Sequence, residues 1–426
     1  MATEAASREL ATSDDGRQEA MPADRARPIP RISIQAFCEE PHTAEAVQVA
    51  ADDRRLSKAH VSVHMGGIEA AVAHYQESPT PNLIIIESSL QPSELLDQLD
   101  RLAECCDAGT KVVVVGVAND VLLYRELLKR GVAEYLIGPA SPMQVMESIS
   151  NLYNDPVSDP VGHIIAFVGA KGGIGSSTVC HNVSWSLSEI LKASVVIADL
   201  DLAFGTAGLD FNQDPVQGIA EALGSPERLD EVLLDRLLTK CSEHLSIFAA
   251  PGTLDRDYDL TADSCDIVLD VVRQNVPYVA VDLPHVWTSW SKRILIQADE
   301  IVVTATPDLA SLRNTKNLVD LLKQVRQNDR APHLVINMQG VPKRPEIPIK
   351  DFEQALDLKA CSVIEFDAET FGQAANNGQM VEEMSPKAKS VQNFREIALA
   401  VTGRRETKVE KKSPLAPILE RFKLKR

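Results

Sequence analysis

The stretch Gly162–Leu187, GHIIAFVGAKGGIGSSTVCHNVSWSL, decides how the second half of the chain folds. His163 to Val168 is an apolar run of strand length. It enters a loop with four glycines in seven residues, Gly169 to Gly175, and leaves through Ser176, Ser177 and Thr178 into apolar residues at helical spacing. Strand, glycine loop and helix in that order make a phosphate cradle, because glycine lets successive backbone amides turn toward an anion and the helix start adds partial positive charge. One position departs from the usual phosphate-loop pattern: Ser176 follows the last glycine, where a lysine is expected.

Working outward, 426 residues leave room for two or three domains, each with its own core. Apolar residues at 44 % and charged residues at 24 % are ordinary soluble composition. A net charge of −18 argues against DNA or RNA as a partner, since such surfaces need clustered basic groups. The seven cysteines lack CxxC or zinc-like spacing and are expected to be reduced thiols. No apolar run is long enough to span a membrane and no signal segment opens the chain, so a cytoplasmic protein is expected.

Residues 1–29 have almost no large apolar groups and are expected to form a disordered leader. Residues 30–152 alternate strand and helix patterns. Strands are expected at RISIQAF, HVSVH, Leu83–Ile86, KVVVVGV and VAEYLIG, with helices at Ala44–Leu56, Ile68–Tyr75, after a capping Ser93, at Val121–Lys129 and at Pro142–Leu152. Continuous apolar strands imply a parallel sheet covered on both faces, hence a small doubly wound (flavodoxin-like) domain. The segment resembles a response-regulator receiver domain. Glu39 and Glu40 lie in the acidic region, but Glu87 stands where the family has its phosphoacceptor Asp, Gly116 replaces the hydroxyl residue and Gly138 the lysine. The resemblance therefore implies a degenerate receiver that recognises a partner through its fourth helix and Tyr135 without phosphotransfer.

A Pro- and Asp-containing linker, 153–161, precedes a larger α/β domain expected over 162–403. Asp199, Asp282 and Asn337 fall at the ends of VVIAD, VAVD and LVIN, where open parallel sheets bind ligands. Gly169, Gly172, Gly173, Gly175, Ser176, Ser177 and Thr178 are the candidate phosphate contacts. Ser177, Asp199 and Asp282 are candidates for Mg²⁺, and Asp199 and Asp201 are spaced to organise an ion and an attacking water. The domain resembles the MinD/ParA group of deviant P-loop ATPases. Lys171 in KGGIGSST matches the signature lysine, which in relatives reaches the facing subunit's phosphates; Asp201 falls at the hydrolytic position and Asn337 at an adenine-contacting one. The resemblance implies ATP and Mg as cofactors, a homodimer, and Lys171 and Asp201 as the catalytic pair. Ser176 removes the ammonium that would sit on the β and γ phosphates, so weak or absent hydrolysis is expected.

A degenerate receiver joined to such a domain resembles the CpaE/TadZ branch of Flp/Tad (type IVb) pilus-assembly proteins. That resemblance implies a scaffold at the cell pole, on the inner face of the membrane, beside the pilus machinery and its assembly ATPase. Two other readings stand beside it: an active MinD/ParA-type ATPase cycling between partner-bound or membrane-bound states, and a signalling adaptor. Residues 404–426 carry nine Lys or Arg and three Glu around Leu415, Ile418, Leu419 and Phe422. This basic tail is compatible with peripheral membrane contact, protein docking or simple solvation.

Overall fold

The computed structural model describes residues 29, 32–107, 109–153, 162–254 and 256–404. The leader before Ile29, the linker from Asn154 onward and the basic tail past Arg404 lie outside the described residues; Ile29 itself belongs to the first core, buried and donating its N–H to Arg55 O at 3.1 Å. The chain divides between Tyr153 and Asn154 into two compact units.

The first unit runs β1 (Ser33–Cys38), α1 (Pro41–Ala51), β2 (His60–Met65), α2 (Gly67–Tyr75), β3 (Leu83–Ser88), α3 (Pro92–Cys105), β4 (Lys111–Gly116), α4 (Val121–Lys129), β5 (Glu134–Ile137) and α5 (Pro142–Tyr153). Its five strands are all parallel, in the order β2-β1-β3-β4-β5. β3 is apolar throughout its centre because both faces are covered: Leu83 and Ile85 join the core under α1 and α5, Ile84 and Ile86 the core under α2 and α3. Two local expectations are corrected. Ser93 does not cap α3; Gln91 does, with Pro92 fixing the first helical φ, so the serine falls inside the first turn. The helix expected to reach Leu56 ends at Ala51, and Arg54–Leu56 is a separate 3-10 turn whose start Asp53 caps through Arg55 N.

At the strand ends of this unit two carboxylates are engaged by the backbone: Glu39 accepts from Ser89 N at 2.9 Å, and Glu87 caps a helix. Glu87 accepts from Glu39 N at 2.7 Å, Glu40 N at 2.8 Å and the Thr43 hydroxyl at 2.6 Å, so it serves as an anionic cap on the start of α1. Gly116 makes room for the Tyr135 ring, which is buried and donates its hydroxyl to Ala118 O at 2.8 Å. Tyr135 is thus part of the core and not of an exposed recognition face. A Cβ at residue 116 would stand 2.5 Å from the Tyr135 hydroxyl oxygen. Gly116→Thr is therefore expected to expel the ring and lower stability by about 1–3 kcal/mol, the range for overpacking a core. Denaturant melts with tyrosine emission as the probe check this; an unchanged midpoint would contradict it.

The second unit runs β6 (His163–Gly169), α6 (Ser176–Leu191), β7 (Val195–Asp199), α7 (Ala207–Asp210), α8 (Ile219–Gly224), α9 (Glu231–Leu237), β8 (Thr239–Lys240), β9 (Leu245–Phe248), α10 (Ala262–Asn275), β10 (Tyr278–Leu283), α11 (Ser289–Gln297), β11 (Glu300–Ala305), α12 (Leu309–Val325), β12 (His333–Gln339), α13 (Ile349–Leu356), β13 (Ala360–Glu365), α14 (Ala368–Asn377), α15 (Val381–Met384) and α16 (Lys389–Val401). Its sheet order is β13-β12-β11-β6-β10-β7-β9-β8. The sheet is mixed, not purely parallel as the apolar strands imply, because the two-residue edge strand β8 pairs antiparallel with β9. β6 lies between β10 and β11, so the loop after it emerges beside the carboxyl ends of both neighbours. One face packs Val179, Val183 and Leu187 of α6 with Phe394, Ile397 and Val401 of α16; the other packs α10 and α11. Each such fully buried side chain contributes about 1.5–3 kcal/mol.

Candidate functional site

Side chains from the segment after β10, from α12 and from β12 reach the loop that precedes α6. Gly175 caps that helix in the left-handed region, with φ 78°, and Gly173 has φ 74°. Three carbonyls of the loop are turned into the protein. Gly169 O is bonded by His285 Nδ1 at 3.0 Å, Ala170 O accepts from Asn314 Nδ2 at 2.9 Å and Ile174 O from Asn337 Nδ2 at 2.8 Å. A Cβ on Gly172 or Gly173 would meet nothing within 4 Å, so this part of the loop has open space on that side. Gly169 lies closer in, where a Cβ would come within 3.0 Å of Lys171 O. Thr178 lies in the first turn of α6.

Asp199 and Asp282 are register partners on adjacent strands, and both are buried. Asp199 accepts from Asp201 N and Ala207 N, each at 3.1 Å, so it orders the turn that follows β7. Asp201 in turn accepts from Phe204 N at 3.0 Å. The Ser177 hydroxyl neighbours the Asp282 carboxyl and favours its charged form. Asp282 Oδ1 and Ser176 Oγ are buried without a hydrogen-bond partner in the protein. Burial pushes Asp282 up from the usual carboxylate range and the neighbouring Asp199 adds to the rise, while His181 opposes it. Asp199 is likewise raised by burial.

Lys171 is held within its own chain. Its Nζ lies 2.7 Å from Asp308 Oδ2, and Asp308 also accepts from the Thr306 hydroxyl at 2.6 Å and caps α12 through Ser311 N at 3.0 Å. Burial is the largest single influence on Asp308 and works against its ionisation, but Lys171, the Thr306 hydroxyl and the Ser311 amide together outweigh it and bring its carboxyl down to about 2. Asn337, besides bonding Ile174 O, accepts from Met338 N at 2.9 Å. A cavity of about 150 Å³ opens beside it, lined by Gly175, Thr178, Met338, Phe366, Phe371 and Met380. Among the described residues no cluster of three or more His, Cys, Asp or Glu stands ready to ligate a metal by itself, so an ion here would depend on the Ser177 hydroxyl and on oxygens from a bound phosphate and water.

The sequence reading missed three residues of this site: Asp308, His181 and Asp210. His181 lies one turn after Ser177 on α6 and is fully buried. Its Nδ1 is 2.7 Å from Asp210 Oδ2 and its Nε2 3.6 Å from Asp282 Oδ2. The four-residue step from Ser177, on a helix that starts at the glycine loop, is the signal that would have found it.

Comparison with known proteins agrees with this geometry. A family model described as an AAA domain matches residues 162–336. The septum site-determining protein MinD of Bacillus subtilis is 25 % identical over 257 residues, 57 % of this chain and 90 % of that protein. A crystal structure of a ParA family ATPase from Chlorobium tepidum is 24 % identical over 56 % of this chain and 98 % of its own, with a TM-score of 0.51. A crystal structure of a pilus assembly protein CpaE from Caulobacter crescentus is 53 % identical over 30 % of this chain and 97 % of its own, with a TM-score of 0.29. Fold and site together define a P-loop nucleotide-binding protein. More particularly, the chain carries the MinD/ParA-like ATPase fold.

Proposed function

We propose that the chain binds Mg-ATP at the loop 169–178 and uses the bound nucleotide as a switch, cycling between partner-bound or membrane-bound states as a homodimer. The observation that carries this reading is the unpartnered Asp282 Oδ1 beside the Ser177 hydroxyl at the start of α6. A buried carboxylate oxygen without a donor is costly, and a cation with its water shell satisfies it. Ser177 and Asp282 would hold the Mg²⁺, which supplies charge neutralisation at the phosphates. Asp199, with both oxygens already accepting backbone N–H groups, orders the 201–207 turn that presents Asp201. The loop amides and Thr178 bind phosphate, and Asn337 fixes the loop while bordering the cavity that suits a base. Among the described residues no helix is long and apolar enough to cross a membrane.

A second reading is favoured by Ser176 and by the Lys171–Asp308 pair. With no ammonium at residue 176 and Lys171 held in cis, turnover is slow, and the chain serves as an ATP-bound scaffold. In that reading the first unit is a receiver-like recognition domain, and the whole is a polar organiser of type IVb pilus machinery beside its assembly ATPase. One experiment separates the two. Mg-ATP affinity by calorimetry, phosphate release and solution mass are measured for the natural chain, Lys171→Ala and Asp201→Ala. The switch reading expects turnover that falls at least about tenfold in both variants, the range for removing a transition-state contact. Binding and a dimer without measurable release would establish the scaffold, and absence of Mg-ATP binding would end both.

A further inference from the structure

We propose that His181 is a positioning residue that couples the Asp282 carboxylate to the segment 201–210, so that occupation of the nucleotide site is transmitted to the exposed apolar residues Phe204 and Leu209. The inference rests on the nucleotide reading above and deepens it. α6 carries Ser177 and His181 one turn apart, and both neighbour Asp282: the hydroxyl favours its charged form, and the imidazole Nε2 stands 3.6 Å from Oδ2. The other end of the same ring is bonded to Asp210 at 2.7 Å, and Asp210 also accepts from the Thr206 hydroxyl at 3.3 Å. One rigid, fully buried ring thereby joins the strand that faces the ion site to the short helix α7, which closes the turn after β7.

The turn is poised to respond. Its inner residues Leu202 and Ala207 are buried, whereas Phe204 is 74 % and Leu209 72 % exposed. Its backbone is fixed at the near end by Asp199 through Asp201 N and Ala207 N, and at the far end by the His181–Asp210 contact. His181 Nε2 and Asp282 Oδ1 are both buried without a hydrogen-bond partner, which marks them as the atoms whose surroundings change when the site fills. A ligand shifts an equilibrium only through contacts that differ between two states, and Asp282 supplies that difference here. Phe211, directly after α7, touches the His181 ring with centroids 5.8 Å apart and stacks on Trp185 at 6.5 Å, so the chain carries a native reporter of this turn.

The test uses the full chain with 5-fluorotryptophan in place of its three tryptophans, the Trp185 fluorine resonance being assigned by Trp185→Phe. Mg-ATP is added to saturation, so that changes in affinity, followed separately by calorimetry, do not enter the comparison. The parent chain should show a saturable shift of the Trp185 resonance. His181→Asn, which keeps a donor toward Asp210 but loses the reach to Asp282, and Asp210→Asn, which weakens the other end, should still bind Mg-ATP while the shift falls at least about fivefold, the lower end of allosteric coupling. A ring that merely fills space would leave the shift intact in Asp210→Asn, and an undiminished shift there overturns the coupling even where His181→Asn fails to fold. Absence of Mg-ATP binding by the parent chain overturns the nucleotide reading and the coupling with it. Binding with undiminished shifts overturns the coupling alone.

Discussion

Asp282→Asn is expected to make the nucleotide-free protein more stable and at the same time to abolish its response to Mg-ATP. Asp282 and Asp199 lie side by side in the core, and burial raises the Asp282 carboxyl from 3.8 to about 7. An acid whose folded value is raised contributes stability that is fully present below its unfolded value, near pH 4. That contribution is lost as pH rises through about 7. His181 shifts the same way: burial pulls it down, but the Asp210 hydrogen bond and the surrounding carboxylates more than reverse this. Its contribution is likewise lost as pH rises through its raised folded value. The natural chain should therefore lose stability between pH 4 and 7 relative to the asparagine variant. At pH 7 and above the variant should be more stable by ~2–4 kcal/mol, which is about 5–10 °C in melting midpoint. Mg-ATP should raise the midpoint of the natural chain and leave the variant unmoved, since a ligand stabilises only the state that binds it. Thermal melts from pH 4 to 8, with and without Mg-ATP, check every part. Equal midpoints at pH 7, or a retained Mg-dependent shift, would refute the assignment of Asp282.

Gly175→Ala is expected to lose both stability and nucleotide affinity. Residue 175 has φ 78°, and a Cβ there would stand 2.7 Å from Asn337 Nδ2, the atom that holds Ile174 O. An L-residue in that backbone region costs about 1–2 kcal/mol, and loss of the amide–carbonyl bond about 1 more. The loop cannot then keep its amides aimed at a phosphate, and affinity for Mg-ATP should drop at least about 100-fold, near 2.7 kcal/mol. Gly172→Ala is the control, because a Cβ there meets nothing within 4 Å. Calorimetry and denaturant melts on both variants check this; similar losses in the two would place the effect in loop composition and not at residue 175.

The contrast between those two glycines shows what the sequence could and could not convey. Four glycines in seven residues announce a phosphate loop, and the apolar runs at His163–Val168 and Val195–Ala198 announce covered parallel strands, because both signals are local. Nothing in the string distinguishes Gly172 from Gly175, since the difference is an amide arriving from β12, more than 160 residues later. Lys171 was legible as a loop cation, but its partner Asp308 comes from the strand–helix junction after β11. The Asp-x-x-Ser pattern there does signal a helix cap, as Ser311 N confirms, without showing that the same carboxylate reaches the phosphate loop. Asp199 reads from sequence as an ion ligand; that its oxygens also accept from two backbone amides of the turn it precedes follows only from the fold. Glu87 and Gly116 were legible as departures from a receiver's chemistry. That one caps α1 and the other admits Tyr135 follows only from packing.

The strand at the far edge of the larger sheet has its own consequence. β8 is two residues long and runs against the direction of the strand it pairs with. A sheet edge that short gives an approaching chain too few backbone donors and acceptors to continue the ladder. On that side a second copy of the chain cannot extend the sheet strand by strand into an open-ended polymer.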